Sequence, residues 1–383
     1  MVPVSDRPAP VGSLLRTAPP DRLPEVTAAH LRETCGAERV EVLLVDLTMS
    51  ALRPVLDPDG DLGGPLEQRC FGSQRPVVDA TPGRLTRVLL PLTSWGDRAG
   101  VLRIEFTRPV DHELGERLAE IADELAVAMR AADKDTDRYR RLQRRQRLTM
   151  AAELQWDLLP GRSLADDRFQ LAGALEPAYA MYGDHYDWAV TGDTLTVTVL
   201  NGHGDGIEAA LLTTIAVNAM RNARRSGTGI VEQAELASDA VYAKYAGNAH
   251  VAALLLEVDL ESGEVAAVDA GSPRAMIARN GEIRTVTLDQ QLPLGMFDDG
   301  RYEIQRFRLG AGDRLLIVSD GVHAATPGGR PPYGTSALLT AVRRTRLQPP
   351  TEAVGTVIRG LREYHDGIEA EDDAVVVCLD WQR

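Results

Sequence analysis

A six-residue turn, Asn201-Gly202-His203-Gly204-Asp205-Gly206, constrains this chain more than any other segment. Before it, Leu195, Val197 and Val199 alternate with Thr194, Thr196 and Thr198, the period-two pattern of a half-buried strand. After it, Ile207, Ala210, Leu211 and Ile215 recur at helical spacing. Asp205 and Glu208 stand three apart, which predicts a capping box with Asp as the cap. Asn-Gly alone would predict a hairpin, but the capped helix argues for a strand-to-helix corner. A glycine-dense corner lets backbone amides and carbonyls face a ligand with little steric cost.

The rest of the chain bounds the setting. Its 383 residues suffice for two or three domains, each able to bury a core. The formal net charge of −14 argues against nonspecific binding to nucleic acid or to an anionic membrane. No apolar stretch approaches the ~20 residues of a membrane span, and residues 1–20 lack the apolar core of a signal peptide. Cys35, Cys70 and Cys378 lie far apart, with neither zinc-like spacing nor a disulfide framework, so a cytoplasmic protein is expected.

Four segments are predicted. Residues 1–20 read as a flexible arm. Residues 21–130 read as a compact α+β domain: a helix at 24–34, strands at 40–46, 86–92 and 100–106, and a helix carrying Leu114, Leu118, Ile121 and Leu125. Residues 131–160 read as one continuous linker helix. Its basic middle, with Arg138, Arg140, Arg141, Arg144, Arg145 and Arg147, suits a solvated face better than a nucleic-acid surface, and Pro160 ends it. Residues 161–383 are mostly strands, with hairpin turns at Glu261-Ser262-Gly263 and Asn280-Gly281 and helices at 207–225, 230–246, 336–346 and 351–364. Irregular spacing of strands and helices disfavours a parallel doubly wound sheet.

Motifs fall in order around the turn. Gly183-Asp184-His185-Tyr186-Asp187 lies upstream. Ala270-Gly271-Ser272-Pro273, Leu294-Gly295, Val318-Ser319-Asp320-Gly321-Val322 and Glu371-Asp372-Asp373-Ala374 lie downstream. Taken alone, Asp320-Gly321 is a turn, Asp372-Asp373 an edge charge, and Asp184 and Asp187 are loop caps. Taken in order, they resemble the PPM-type, metal-dependent serine/threonine phosphatases in the bacterial sporulation-type (SpoIIE-like) branch. The resemblance implies an α+β fold with an αββα sandwich. The hairpin-like segment from Val88 to Leu102 resembles the centre of GAF sensory domains. Glu153-Leu154-Gln155, followed by Leu158-Leu159-Pro160, resembles the branch's dimerising switch segment, which implies a homodimer.

The resemblance also implies a chemistry. Two divalent cations, Mn2+ or Mg2+, would be held by oxygen ligands. Asp184 and the Gly202 carbonyl would serve one; Asp320 and the Asp372–Asp373 pair would serve the other, with Asp372 favoured over Asp373. Position 201 would bridge them, and His203 would protonate the leaving oxygen. The chain departs from the branch at Asn201 (Asp in the family), Ser272 (His), Ala324 (Glu) and Val375 (Thr). A neutral amide cannot bridge two cations as a carboxylate does, so weak binding of at least one is expected. Two readings follow: a protein serine/threonine phosphatase under sensory control, acting on a phosphoprotein such as an anti-sigma-factor antagonist, or a pseudophosphatase serving as a signalling and dimerisation module.

Overall fold

A computed structural model describes residues 10–47, 49, 51–144, 149–177 and 183–383. The chain divides into two compact units, Met1–Arg147 and Leu148–Arg383. In the first, the elements run α1 (Val11–Thr17), α2 (Leu23–Cys35), β1 (Arg39–Val45), β2 (Leu52–Pro54), α3 (Pro65–Ser73), β3 (Val77–Asp79), β4 (Thr86–Ser94), β5 (Asp97–Phe106), α4 (His112–Ala132) and α5 (Arg138–Gln143). The five strands form an antiparallel sheet in the order β2-β1-β5-β4-β3. Alternation sorts its two faces. Val42, Leu44, Val88, Leu90, Leu102 and Ile104 pack with α1, α2 and α4, whereas Leu43, Val45, Leu89 and Val101 meet Cys70 and Phe71 of α3.

Two expectations are corrected here. The segment 1–20 is not an arm throughout: α1 sits inside it, with Val11 and Leu15 buried in the core, while residues 1–9 lie outside the described residues. Residues 131–160 are not one helix. Helix α4 ends at Ala132, and α5 begins only at Arg138. The polar run 133–137 separates them, and α5 is tied back to the start of the unit. Arg138 donates to the carbonyls of Asp21 and Val55 and pairs with Glu25, and the Tyr139 hydroxyl donates to the Pro20 carbonyl at 2.6 Å. Arg138 is therefore a packing anchor rather than part of a solvated face. Arg145 and Arg147 lie outside the described residues.

The second unit opens with α6 (Met150–Leu158), capped by the Thr149 hydroxyl, which accepts from the Ala152 amide. It continues with β6 (Ser163–Ala165), β7 (Phe169–Glu176), β8 (Asp184–Thr191), β9 (Thr194–Gly202), α7 (Gly206–Arg225), α8 (Ile230–Tyr245), β10 (Val251–Asp259), β11 (Glu264–Ala270), β12 (Arg274–Arg279), β13 (Glu282–Thr285), β14 (Gln305–Arg308), β15 (Arg314–Val318), α9 (Asp320–His323), α10 (Ala337–Arg344), α11 (Pro350–His365) and β16 (Ala374–Trp381). The expected hairpins form: β10 and β11 pair around 260–263, and β12 and β13 pair around Asn280 and Gly281, both at positive φ.

These strands make two antiparallel sheets, β14-β11-β10-β9-β8 and β13-β12-β15-β16-β7-β6. Tyr186, Trp188, Val197, Val199, Leu254 and Leu256 of the first meet Phe169, Leu171, Leu315, Ile317, Val375 and Val377 of the second. Each such side chain contributes about 1.5–3 kcal/mol on burial. Helices α7 and α8 cover the outer face of the first sheet, and α10 and α11 that of the second. This is the expected αββα sandwich. Among the described residues, no helix is long and apolar enough to cross a membrane.

Candidate metal centre

The pairing of β8 with β9 sets the site. Asp184 and Asn201 are directly opposite in register, so their side chains leave the same face of the sheet, the one that carries Tyr186 and Val199 into the sandwich. From the other sheet, β15 and β16 pair through Val318 and Val376, which brings Asp320 and the Asp372–Asp373 pair to the same end. Gly321 is required there: a Cβ would lie 1.8 Å from the Asp373 carbonyl oxygen. Gly202 is pinned as well, since a Cβ would stand 2.5 Å from the Thr213 hydroxyl oxygen. An open cleft of about 380 Å³ results, lined by Asn201, Gly202, His203, Asp320 and Asp372, with His250, Ser272 and Gln290 completing much of its wall.

The expected residues thus divide into those that line the cleft and those behind it. Asp184 is fully buried, and among the described residues neither of its carboxylate oxygens has a hydrogen-bond partner. Burial, then the negative charges of Asp372 and Asp320, push its pKa well up. The Ser319 hydroxyl lies close enough to oppose that shift in part, without a hydrogen bond of good geometry. Asp373 is also fully buried; its carboxylate accepts from the Gly183 amide at 3.1 Å and from the Gln155 side-chain amide at 3.4 Å. Asp372 faces the cleft, and burial followed by the charges of Asp320 and Asp373 raises its pKa to about 7.

Asn201 donates its side-chain amide to Asp320 Oδ1, and more weakly to the Ser272 hydroxyl oxygen at 3.4 Å. Asp320 Oδ1 also accepts from the Gly321 amide at 3.0 Å. His203 is exposed on the rim. It stacks on His250 with ring centroids 4.9 Å apart, and its amide donates to the His250 carbonyl at 3.1 Å. Burial and the neighbouring His203 lower the pKa of His250. The capping box is not made: Asp205 is the N-cap of α7, yet its side chain caps no amide, and Glu208 is exposed. Glycine freedom at Gly204 and Gly206, both at positive φ, shapes the corner instead.

Several participants were not assigned to the site from the sequence. His250 precedes β10, and His323, whose Nε2 donates to the Ser272 carbonyl at 3.0 Å, ends α9. Gln155 reaches the site from α6. Ala151 and Ala152 of that helix are buried with Ala210 of α7, and Leu154 of the expected dimerising segment packs against them, so that segment is partly used inside the unit.

The donor chemistry fits a hard divalent cation: carboxylates converge, and one carries two buried, unpartnered oxygens. The fit has one defect. Among the described residues, no three His, Cys, Asp or Glu side chains are arranged to hold an ion together. At position 201 the side chain is an amide that donates to Asp320.

Among curated proteins, none matches the chain significantly. Solved structures do. The RsbU and RsbW domains of Rv1364c from Mycobacterium tuberculosis align at 21% identity over 56% of this chain and 62% of that one, with a TM-score of 0.49; the match thus spans less than two thirds of that protein. The phosphatase domain and regulatory fragment of SpoIIE from Bacillus subtilis align at 18% identity over 57% and 65%, with a TM-score of 0.48. RsbX, solved in complex with magnesium, aligns at 15% identity over 57% and 98%, with a TM-score of 0.45. The family model for Stage II sporulation protein E (SpoIIE) matches residues 191–382, half of the chain. With the αββα sandwich and the carboxylate cleft at its edge, that match shows that the chain belongs to the SpoIIE family of PPM-type serine/threonine phosphatases.

Proposed function

We propose that this chain hydrolyses phosphoserine or phosphothreonine on a regulatory protein in a metal-dependent way, and that its first unit is a GAF-like sensory domain controlling that activity. One observation carries the reading: Asp320 and Asp372 at the cleft meet the fully buried Asp184 and Asp373 at one corner, and among the described residues neither Asp184 oxygen makes a hydrogen bond of good geometry. Such a corner is costly to keep ionised unless a cation is bound. Bound magnesium or manganese supplies the charge neutralisation that phosphoryl transfer needs.

Asp184, with the Gly202 carbonyl, would hold one ion, and Asp320 with Asp372 the other. Asp373 suits a different task, because its carboxylate already accepts the Gly183 amide that positions Asp184. Asn201 can offer only its amide oxygen, with its nitrogen on Asp320. His203, exposed on the rim, would give a proton to the departing oxygen. The five-stranded sheet of the first unit suits a sensory module, and the second unit's substrate would be a phosphoprotein such as an anti-sigma-factor antagonist. A cytoplasmic homodimer completes the proposal.

The hydrogen bond from Asn201 to Asp320 favours a second reading, a pseudophosphatase that keeps the fold for binding. Titration with Mn2+ in a calorimeter, paired with phosphate release from a phosphopeptide, separates the two. Saturable binding with turnover supports the first, and binding or folding without turnover at any Mn2+ concentration supports the second.

A further inference from the structure

The side chain of Gln155, on α6, reaches the candidate metal centre. It is 1% exposed. Its amide nitrogen lies 3.4 Å from the Asp184 carbonyl oxygen and 3.4 Å from Asp373 Oδ2. A primary amide carries two N–H donors, so both contacts can be made at once. The two acceptors belong to different sheets. Asp184 opens β8, and Asp373 immediately precedes β16. Asp373 in turn accepts from the amide of Gly183, the residue before Asp184. Gln155, Asp373 and the Gly183–Asp184 backbone therefore close a small ring of hydrogen bonds across the edge of the sandwich.

The helix bearing Gln155 is held independently. Arg221 of α7 donates to the Leu158 carbonyl at 2.6 Å while paired with Asp187 at 2.7 Å. Ala151 and Ala152 are buried with Ala210. The position of Gln155 is thus fixed by contacts that do not involve the carboxylates. Its own carbonyl oxygen, Oε1, is buried without a partner among the described residues. An orphaned acceptor costs stability, so this amide is poorly explained as a device for holding the fold together.

We propose that Gln155 is a positioning residue for the metal centre: it fixes Asp373 and the backbone of Asp184 so that the carboxylates of the two sheets are held at one centre. The proposal rests on the metal-dependent reading above and names a residue outside its ligand set. Partners that orient metal ligands typically change metal affinity 10–100-fold when lost.

The test is Gln155→Met in the full chain, which keeps length and helix propensity while removing both donors. Three quantities are read: Mn2+ affinity by calorimetry, the thermal midpoint after chelation, and amide hydrogen exchange at Gly183 after chelation. The expected result is at least tenfold weaker Mn2+ binding and faster exchange at Gly183, with a midpoint that does not fall, since the buried orphan oxygen goes too. Gln155→Glu, which sets a carboxylate against Asp373, should weaken Mn2+ at least as much. Unchanged affinity and unchanged exchange in the Met variant overturn the proposal. So does a fall in midpoint with affinity preserved, which makes Gln155 an ordinary core residue. If the wild-type chain gives no Mn2+ binding, the metal-dependent reading fails by itself. The exchange rate at Gly183 then still decides whether Gln155 holds this corner.

Discussion

Replacing Asn201 by Asp should act in opposite directions with and without a divalent cation. After chelation, Asn201→Asp loses the amide donated to Asp320. A hydrogen bond to a charged group contributes about 1.5–3 kcal/mol. The new carboxylate also faces Asp320, and two like charges ~4 Å apart at an effective dielectric near 20 repel by about 4 kcal/mol, less if one takes a proton. A loss of about 3–5 kcal/mol lowers the midpoint of a unit this size by roughly 10 °C, at 2–4 °C per kcal/mol. With Mn2+ the sign reverses, because the carboxylate can bridge two ions. At a hundred times Kd, binding returns about 2.7 kcal/mol per site. The assay is a thermal melt of wild type and variant in EDTA and in a Mn2+ series, with phosphate release in the same samples. The variant should melt lower in EDTA, bind Mn2+ at least tenfold more tightly and hydrolyse a phosphomonoester faster. Equal melts in EDTA and equal Mn2+ affinity would refute the placement of position 201 at a metal centre.

Asp320→Ala should abolish metal-dependent turnover, whereas His203→Ala should keep most of it on nitrophenyl phosphate, whose leaving group needs little protonation; steady-state kinetics with wild-type rates for Asp320→Ala would make Asp320 a turn residue only. The Asp372 carboxyl, pushed up to about 7 by burial and by Asp320 and Asp373, keeps in the folded chain a proton that the unfolded chain releases near 3.8. The folded state thus binds more protons between those values, so its contribution to stability declines as pH rises from about 4 to 7 and is level above that. Melts after chelation across pH 4.5–8 should show this decline, and Mn2+ binding should weaken below pH 7, where a proton must be displaced; pH-independent titrations would contradict it. Light scattering of the full chain should report twice the monomer mass, and a monomer at micromolar concentration would end the dimer proposal.

Local patterns made much of the second unit legible. Alternation through Val199 and helical spacing after Gly206 located β9 and α7, because both elements bury one face of a regular structure. Asn280-Gly281 announced its hairpin through the positive φ that both residues adopt. The candidate ligands were legible as turn residues at strand ends, and the register of β8 with β9 and of β15 with β16 brings them together. What stayed hidden depends on contacts distant in sequence. The break after Ala132 is set by Arg138 and Tyr139 reaching back to residues 20–25, which no periodicity encodes. His250 meets His203 only because β10 pairs with β9, and Gln155 meets Asp373 across the whole second unit. The capping box failed for a local reason: spacing allowed it, but Asp205 lies in a glycine-shaped corner where its side chain does not meet an α7 amide.

Asn201 is best understood through the charge it relieves. Asp184, Asp320, Asp372 and Asp373 crowd one corner, and none of the described residues lining the cleft is Lys or Arg. A fifth carboxylate at 201 would deepen a repulsion that already raises the pKa of Asp184 and Asp372. An amide there does the reverse: it gives Asp320 a donor and removes a charge. The same replacement would weaken a bridge shared by two cations, were the site to hold them as proposed. If the cleft holds cations as proposed, Asn201 would move its balance toward stability and away from tight cation binding, the direction in which stability and activity commonly trade. A chain so placed would turn over only where the cation is plentiful, or where a partner holds the carboxylates together.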